Sequence, residues 1–132
     1  MIDIKSHLKK IIPEIIIQFP SITVMYLFGS HASGAPREDS DVDIAVFTDG
    51  REPPTMDLEL GVFLEKQLKR PVDVVIMQKV SPVLQHEVLS NKIRIYDKDA
   101  QLRVFQENRS LREYLDAMYY QQKRAARRKV DG

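Results

Sequence analysis

Several features that define other protein classes are missing from this sequence of 132 residues. It contains no cysteine, which excludes disulfide bonds, thiolate nucleophiles and zinc–thiolate sites. No apolar run approaches the roughly 20 residues that a membrane-spanning helix needs, and the N-terminus lacks the basic-then-apolar order of a signal peptide. There is also no internal repeat and no low-complexity segment. We therefore expect a single compact chain in the cytoplasm, with no membrane partner.

Net charge is likewise small, at +1, but it is unevenly distributed. Residues 101–132 carry eight Lys and Arg against four Asp and Glu, whereas residues 1–100 have a net charge of −3. The basic run 123–129 complements the dipole at the end of a helix, or it binds an acidic partner surface. Nucleic acid is not favoured as a partner, because no aromatic residues are interleaved with these cations.

Hydrophobic periodicity and breaker residues predict alternating helices and strands. The predicted helices are 3–19 (with a kink or restart at Pro13), 55–70, 81–90 and 99–128, and the predicted strands are 22–28, 41–47, 72–77 and 92–96. A short helical turn is expected over 31–35. This order indicates an α/β (α+β) sheet flanked by helices, with a domain at 1–98 and a C-terminal helical extension at 99–132. The order of the strands is left undecided.

Two of these helices carry apolar positions that we expect to be buried. In the helix that begins at the candidate cap Thr55, they are Leu58, Val62, Phe63 and Leu68. In the C-terminal helix, they are Leu102, Phe105, Leu111, Leu115 and Met118.

Residues 24–47 contain the pattern that indicates a function. An apolar strand ends at Gly29-Ser30, and a polar segment with a second glycine, Gly34, leads to Asp41 and Asp43. Because side chains alternate along a strand, both carboxylates point to one face. Two carboxylates this close repel each other unless a cation lies between them. Mg²⁺ suits such a pair, since it binds a few carboxylates together with phosphate oxygens.

Asp73 is the candidate third carboxylate. It lies between Val72 and Val74 in a predicted interior strand, where a charge is costly unless it is paired or binds a metal. If this strand lies beside the second strand, Asp73 completes the metal site. It would then be closest to an incoming hydroxyl and is the candidate general base.

The Gly-Ser turn is the candidate phosphate site. Gly29 allows a close approach of the backbone, so that backbone N–H groups and the Ser30 hydroxyl receive phosphate oxygens. Arg37 is a candidate source of positive charge, and Ser40 either caps its strand or contacts substrate. The whole arrangement predicts a nucleotide site with two Mg²⁺ ions, one activating the attacking oxygen and both stabilising charge in the transition state.

Gly29-Ser30, ten residues, and Asp41-Val42-Asp43 together resemble the G-S-x10-D-x-D pattern of the polymerase-beta-like nucleotidyltransferase superfamily. Asp73 stands where that family has its third carboxylate. In size and in its C-terminal helix the chain is similar to minimal nucleotidyltransferases (MNT), in particular MntA-type antitoxins that pair with HEPN toxins. Ser33 precedes the second glycine, where many relatives carry Arg.

The resemblance implies Mg²⁺-dependent transfer of AMP from ATP to a hydroxyl, with release of diphosphate. For MntA-like members it implies that the acceptor is a tyrosine of the cognate HEPN ribonuclease, which is silenced. Two alternatives stay open. In the first, the acceptor is a small molecule or an RNA end, and a homodimer builds the pocket that one chain lacks. In the second, the chain is a non-catalytic antitoxin that inhibits its partner by steric binding alone.

Overall fold

The computed structural model describes residues 3–33 and 41–131, with side chains described as far as residue 128. This part of the chain forms the helices α1 (Ile4–Gln18), α2 (Met56–Leu68), α3 (Pro82–Ser90) and α4 (Ala100–Asp131), and the strands β1 (Ile22–Phe28), β2 (Val42–Thr48), β3 (Val72–Ile76) and β4 (Lys92–Asp97). Short 3₁₀ turns follow β1 at Gly29–His31 and β3 at Met77–Lys79. The predicted elements are confirmed, with boundaries that shift by a few residues.

The four strands form one mixed sheet in the order β3-β2-β1-β4. β1 lies antiparallel to both β2 and β4, whereas β2 and β3 are parallel. A parallel pair needs a crossover connection, and α2 supplies it between β2 and β3. The expected mixed sheet flanked by helices is confirmed.

The sheet is covered on both faces by separate clusters of apolar side chains. α1 and α2 pack on one face, where residues such as Leu8, Leu60 and Ile44 are buried together. α3 packs on the other face, where Val88 joins Tyr26 and Phe47. Alternation along β2 sends Ile44 to the first cluster and Phe47 to the second, as period-two side-chain placement requires.

One predicted helix cap is confirmed, whereas a second cap and a helix restart are not found. Ser81 caps α3, because its hydroxyl accepts from the Leu84 N–H at 3.3 Å, and Pro82 occupies the first turn. α1 continues through Pro13 without a restart. Thr55 precedes α2, but its hydroxyl donates to Glu59 Oε1 at 3.0 Å instead of capping the helix.

The predicted buried face of α2 is partly wrong. Leu58 and Val62 are exposed, whereas Leu68 is buried and Phe63 is partly buried against the core. Met56, Leu60 and Leu64 are buried instead. Both sets have helical spacing, so periodicity alone could not choose between the two neighbouring faces.

The predicted buried stripe of α4 is also wrong. Phe105, Leu111 and Leu115 are exposed, and Leu102 and Met118 are half-buried. The reason is that α4 contacts the domain through polar side chains, described below. None of the helices in the described ranges combines the length and the apolar character needed to cross a bilayer.

The predicted helical turn over 31–35 lies earlier than expected. The 3₁₀ turn starts at Gly29, directly after β1, and residues 34 and 35 lie outside the described part of the chain.

Candidate active site

Strand pairing brings the predicted carboxylates to one edge of the sheet. In the parallel pair of β2 and β3, Asp43 lies opposite Asp73, and in the antiparallel pair of β1 and β2 it lies opposite Phe28. Phe28 immediately precedes Gly29. A single row across three neighbouring strands therefore holds Asp73, Asp43 and the start of the Gly-Ser turn.

Solvent exposure differs among the three carboxylates. Asp43 is half-buried and shares its face of β2 with Ala45 and Phe47, on the side that α3 covers. Asp41 lies one residue before β2 and is exposed, as is Asp73 on the edge strand β3. The Asp73 carboxylate is therefore accessible from solvent.

Gly29 has a backbone conformation and a neighbour that both require glycine. Its φ is +73°, in the left-handed region. A Cβ added at this position would overlap the Asp43 carboxylate and lie 3.1 Å from its Cγ. The absent side chain thus leaves the space in which the Asp43 carboxylate lies directly against the turn.

Hydrogen bonds within the turn hold its shape. The Gly29 carbonyl accepts from the N–H groups of Ala32 and Ser33, both at 3.1 Å. The Ser33 hydroxyl donates to the Ser30 carbonyl, also at 3.1 Å. Ser33 therefore stabilises the turn in this chain.

The pKa of Asp43 reflects its burial and its charged neighbours. Burial raises the pKa of Asp43, and the nearby charges of Asp73 and Asp41 raise it further, while His31 acts in the opposite direction. The donor set is made of carboxylate oxygens, which suits a hard cation such as Mg²⁺. Within residues 3–33 and 41–131, no three His, Asp or Glu side chains form a cluster that could hold a metal. Binding of Mg²⁺ by Asp41, Asp43 and Asp73 therefore stays a prediction.

Two predicted nucleotide contacts cannot be placed. Arg37 and Ser40, like the second glycine Gly34, lie outside the described residues, and their roles stay predictions.

Sequence reasoning missed Lys92, which extends the same row on β4. Lys92 lies opposite Phe28, and its ammonium donates to the Leu89 carbonyl at 3.0 Å and lies 5.7 Å from the centre of the Tyr26 ring. It therefore ties the end of α3 to the sheet beside the site. The position of Lys92 opposite Phe28 depends on the pairing of β1 with β4, which the sequence did not determine.

The strand that ends at the Gly-Ser turn is also fixed to α4. The Tyr26 hydroxyl donates to Glu107 Oε1 at 2.9 Å, and Arg103 donates to Glu107 at 3.3 Å and to Asp97 at 2.7 Å. Burial and the Glu107 carboxylate raise the pKa of Tyr26 well above its ordinary value. α4 and the site therefore have a fixed relative position.

A mixed sheet that sets paired carboxylates against a glycine turn is the arrangement that the resemblance to nucleotidyltransferases predicts. Residues 9–101 match the family model described as polymerase beta, nucleotidyltransferase. The chain belongs to this family.

One curated relative is similar to this chain over part of its length. Protein adenylyltransferase MntA of Shewanella oneidensis is 33% identical over 81 residues, which are 61% of this chain and 58% of MntA. The alignment therefore covers less than two thirds of that relative.

Two solved structures resemble almost the whole chain. A toxin–antitoxin structure with AMP-PNP matches 94% of this chain and 98% of its own, with a TM-score of 0.78 and 24% identity. A structure of tri-AMPylated Shewanella oneidensis HEPN toxin in complex with MNT antitoxin matches 98% of this chain and 100% of its own, with a TM-score of 0.74 and 22% identity. Both likenesses extend over α4 and show that the fold is shared.

Proposed function

We propose that this chain is a Mg²⁺-dependent adenylyltransferase that acts as an antitoxin. It transfers AMP from ATP to a tyrosine hydroxyl of a cognate HEPN toxin. The observation that carries the proposal is the pairing of Asp43 with Asp73 directly beside the Gly29 turn. Support for the nucleotide and the acceptor comes from the adenylyltransferase MntA, the AMP-PNP structure and the AMPylated HEPN toxin.

The residues divide the work between phosphate binding and proton transfer. The Gly29-Ser30 turn binds the triphosphate through the Ser30 hydroxyl and backbone N–H groups, beside the Asp43 carboxylate that the missing side chain of Gly29 admits. Asp41, Asp43 and Asp73 would hold Mg²⁺, which when bound supplies positive charge against the phosphates. Arg37 and Ser40 are proposed further contacts to the nucleotide.

Asp73 is the proposed general base. Its carboxylate accepts the proton of the tyrosine hydroxyl as that oxygen attacks the α-phosphorus, and the bond from this phosphorus to the diphosphate breaks. Exposure of Asp73 on an edge strand supports an acceptor that is presented by another protein.

Residues 1–98 are the proposed catalytic domain and 99–132 its helical extension. The family model supports this division, because its match ends at residue 101, at the start of α4.

The test is label transfer from [α-³²P]ATP to the purified HEPN toxin in the presence of Mg²⁺. We expect Asp43→Asn to lower the transfer rate by at least about 100-fold, the scale of losing a group that acts on the transition state. Asp49→Asn is the matched control, since Asp49 follows the other end of β2 and its amide replacement can still accept from the Arg51 N–H. If label appears only on small molecules or on RNA, the acceptor is not the HEPN toxin, and this part of the proposal is wrong. Full neutralisation of the toxin by Asp43→Asn would show that catalysis is not the function.

A further inference from the structure

The surface of α4 that faces away from the domain carries an apolar stripe. Its members are Val104, Leu111, Leu115 and Tyr119, and between 45% and 55% of each residue's surface is exposed. Their spacings of seven, four and four residues place them on one side of the helix. We call this set the outward stripe.

A different side of α4 contacts the sheet and α3 through polar side chains. The Ser110 hydroxyl donates to Gln85 Oε1 at 2.7 Å, and the Gln106 amide donates to the Thr48 carbonyl at 3.1 Å while its oxygen accepts from Thr23. The usual arrangement of a surface helix is therefore reversed. Exposed apolar side chains that share one side of a helix indicate an interaction site.

Exposed basic residues follow the outward stripe along α4. Lys123, Arg124, Arg127 and Arg128 are exposed, and residues 117–128 contain no acid. The Lys123 ammonium lies 4.9 Å from the centre of the Tyr119 ring, so the basic segment begins where the outward stripe ends. We call residues 123–128 the basic end.

This charge distribution argues against a second copy of the chain as the occupant. Parallel pairing through the outward stripe would bring two basic ends together. Antiparallel pairing would place each basic end of four cations against the start of the other α4, where Asp97 and Glu107 are already paired with Arg103 and the exposed Asp99 accepts from the Gln101 N–H. An occupant with free acidic side chains satisfies the basic end better.

We propose that the outward stripe and the basic end form the docking surface for the acceptor protein, which presents an apolar patch flanked by acidic side chains. The identity of that acceptor as the HEPN toxin rests on the proposed function. Because Tyr26 and Arg103 fix α4 relative to β1 and β4, a partner held on this surface has a defined orientation toward Asp43 and Asp73. Docking and chemistry thus use separate surfaces of one rigid unit.

The test measures binding of the HEPN toxin without ATP, so that affinity is read independently of catalysis. We expect Leu115→Glu to weaken binding by at least about 10-fold, since it buries a charge against an apolar patch. Leu58→Glu is the matched control, because Leu58 is 68% exposed on α2, which packs on the other face of the sheet. Arg124→Glu with Arg127→Glu should also weaken binding and reduce its dependence on salt. Circular dichroism checks that each variant keeps its helices.

The outcomes separate the two proposals. Binding without label transfer would reject the adenylyltransferase proposal and keep the docking surface. Transfer and binding that are unaffected by Leu115→Glu would overturn the docking surface alone.

If Leu115→Glu instead abolishes self-association in sedimentation velocity, the occupant is a second copy. If it abolishes binding to phosphatidylserine vesicles, the occupant is a membrane surface. Either result would also overturn the proposal.

Discussion

Glycine at position 29 illustrates how one residue can determine a site. Its positive φ turns the chain sharply at the end of β1, and its missing side chain admits the Asp43 carboxylate. Backbone shape and carboxylate position are therefore coupled at a single residue. The two contributions can be separated because Gly50 also has a positive φ, of +86°, but has no neighbour within 4 Å of an added Cβ.

We predict that Gly29→Ala lowers both stability and transfer activity. The left-handed backbone costs about 1–2 kcal/mol for a residue with a Cβ, and the overlap moves Asp43 away from the turn. Gly50→Ala should have only the backbone cost and should keep its activity. Thermal unfolding and label transfer measure the two effects. Equal activity of the two variants would show that the contact between Gly29 and Asp43 does not matter for catalysis.

Asp43 is predicted to oppose folding when no metal is bound. Burial and the neighbouring carboxylates raise its pKa, so the neutral form is favoured in the folded state. The associated stability is present below the ordinary pKa of Asp and is lost as the pH rises through the higher folded-state pKa. We therefore expect Asp43→Asn to melt above the wild type by a few degrees at pH 7.5 in EDTA. The difference should vanish at acidic pH.

Mg²⁺ should reduce the difference in melting temperature between Asp43→Asn and the wild type. We expect it to raise the melting temperature of the wild type more than that of Asp43→Asn, because the cation relieves the repulsion. A variant that melts below the wild type at pH 7.5 in EDTA would contradict this account of the carboxylates.

Among the elements, α4 shows how a helix can be held by polar contacts. Tyr26, Gln106 and Ser110 each take part in a hydrogen bond between α4 and the rest of the fold. The His86 ring on α3 stacks on Tyr114 with 3.7 Å between ring centres. These contacts orient the helix and leave its apolar side free for a partner.

Tyr26→Phe tests the contact between β1 and α4. Removing the hydroxyl leaves Glu107 with Arg103 as its remaining partner, and we expect a loss of about 1–2 kcal/mol in the free energy of unfolding, the scale of a hydrogen bond to a charged group. Tyr120→Phe is the control, since Tyr120 is exposed. Denaturant titration measures both variants. An unchanged midpoint for Tyr26→Phe would show that α4 is held by its other contacts.

At the scale of the whole molecule, the larger apolar core and the candidate active site lie on opposite faces of the sheet. α1 and α2 build the larger apolar cluster on one face, whereas the carboxylate row lies on the face covered by α3. The proposed docking surface on α4 is attached to this second face through Tyr26. The face with the site therefore also carries the proposed means of presenting an acceptor to it.

Much of this molecule could be predicted from local patterns. Helices and strands follow from apolar spacing and from caps such as Ser81, and the metal hypothesis follows from two carboxylates two residues apart. These features depend on residues that are near one another along the chain. Their physical causes are steric and electrostatic effects within a few residues, so the sequence by itself determined them.

Long-range pairing decided the rest. Asp73 meets Asp43 only because β3 lies parallel to β2, and no local pattern determines the order of strands. Periodicity identified residues that share a side of α4, but it could not tell whether that side contacts the domain. The tertiary structure places the polar side of α4 against Thr48 and Gln85 and leaves Leu111 and Leu115 in solvent. The physical reason is that these sheet and helix groups need hydrogen-bond partners where α4 crosses them, and only the polar side of the helix can supply those partners.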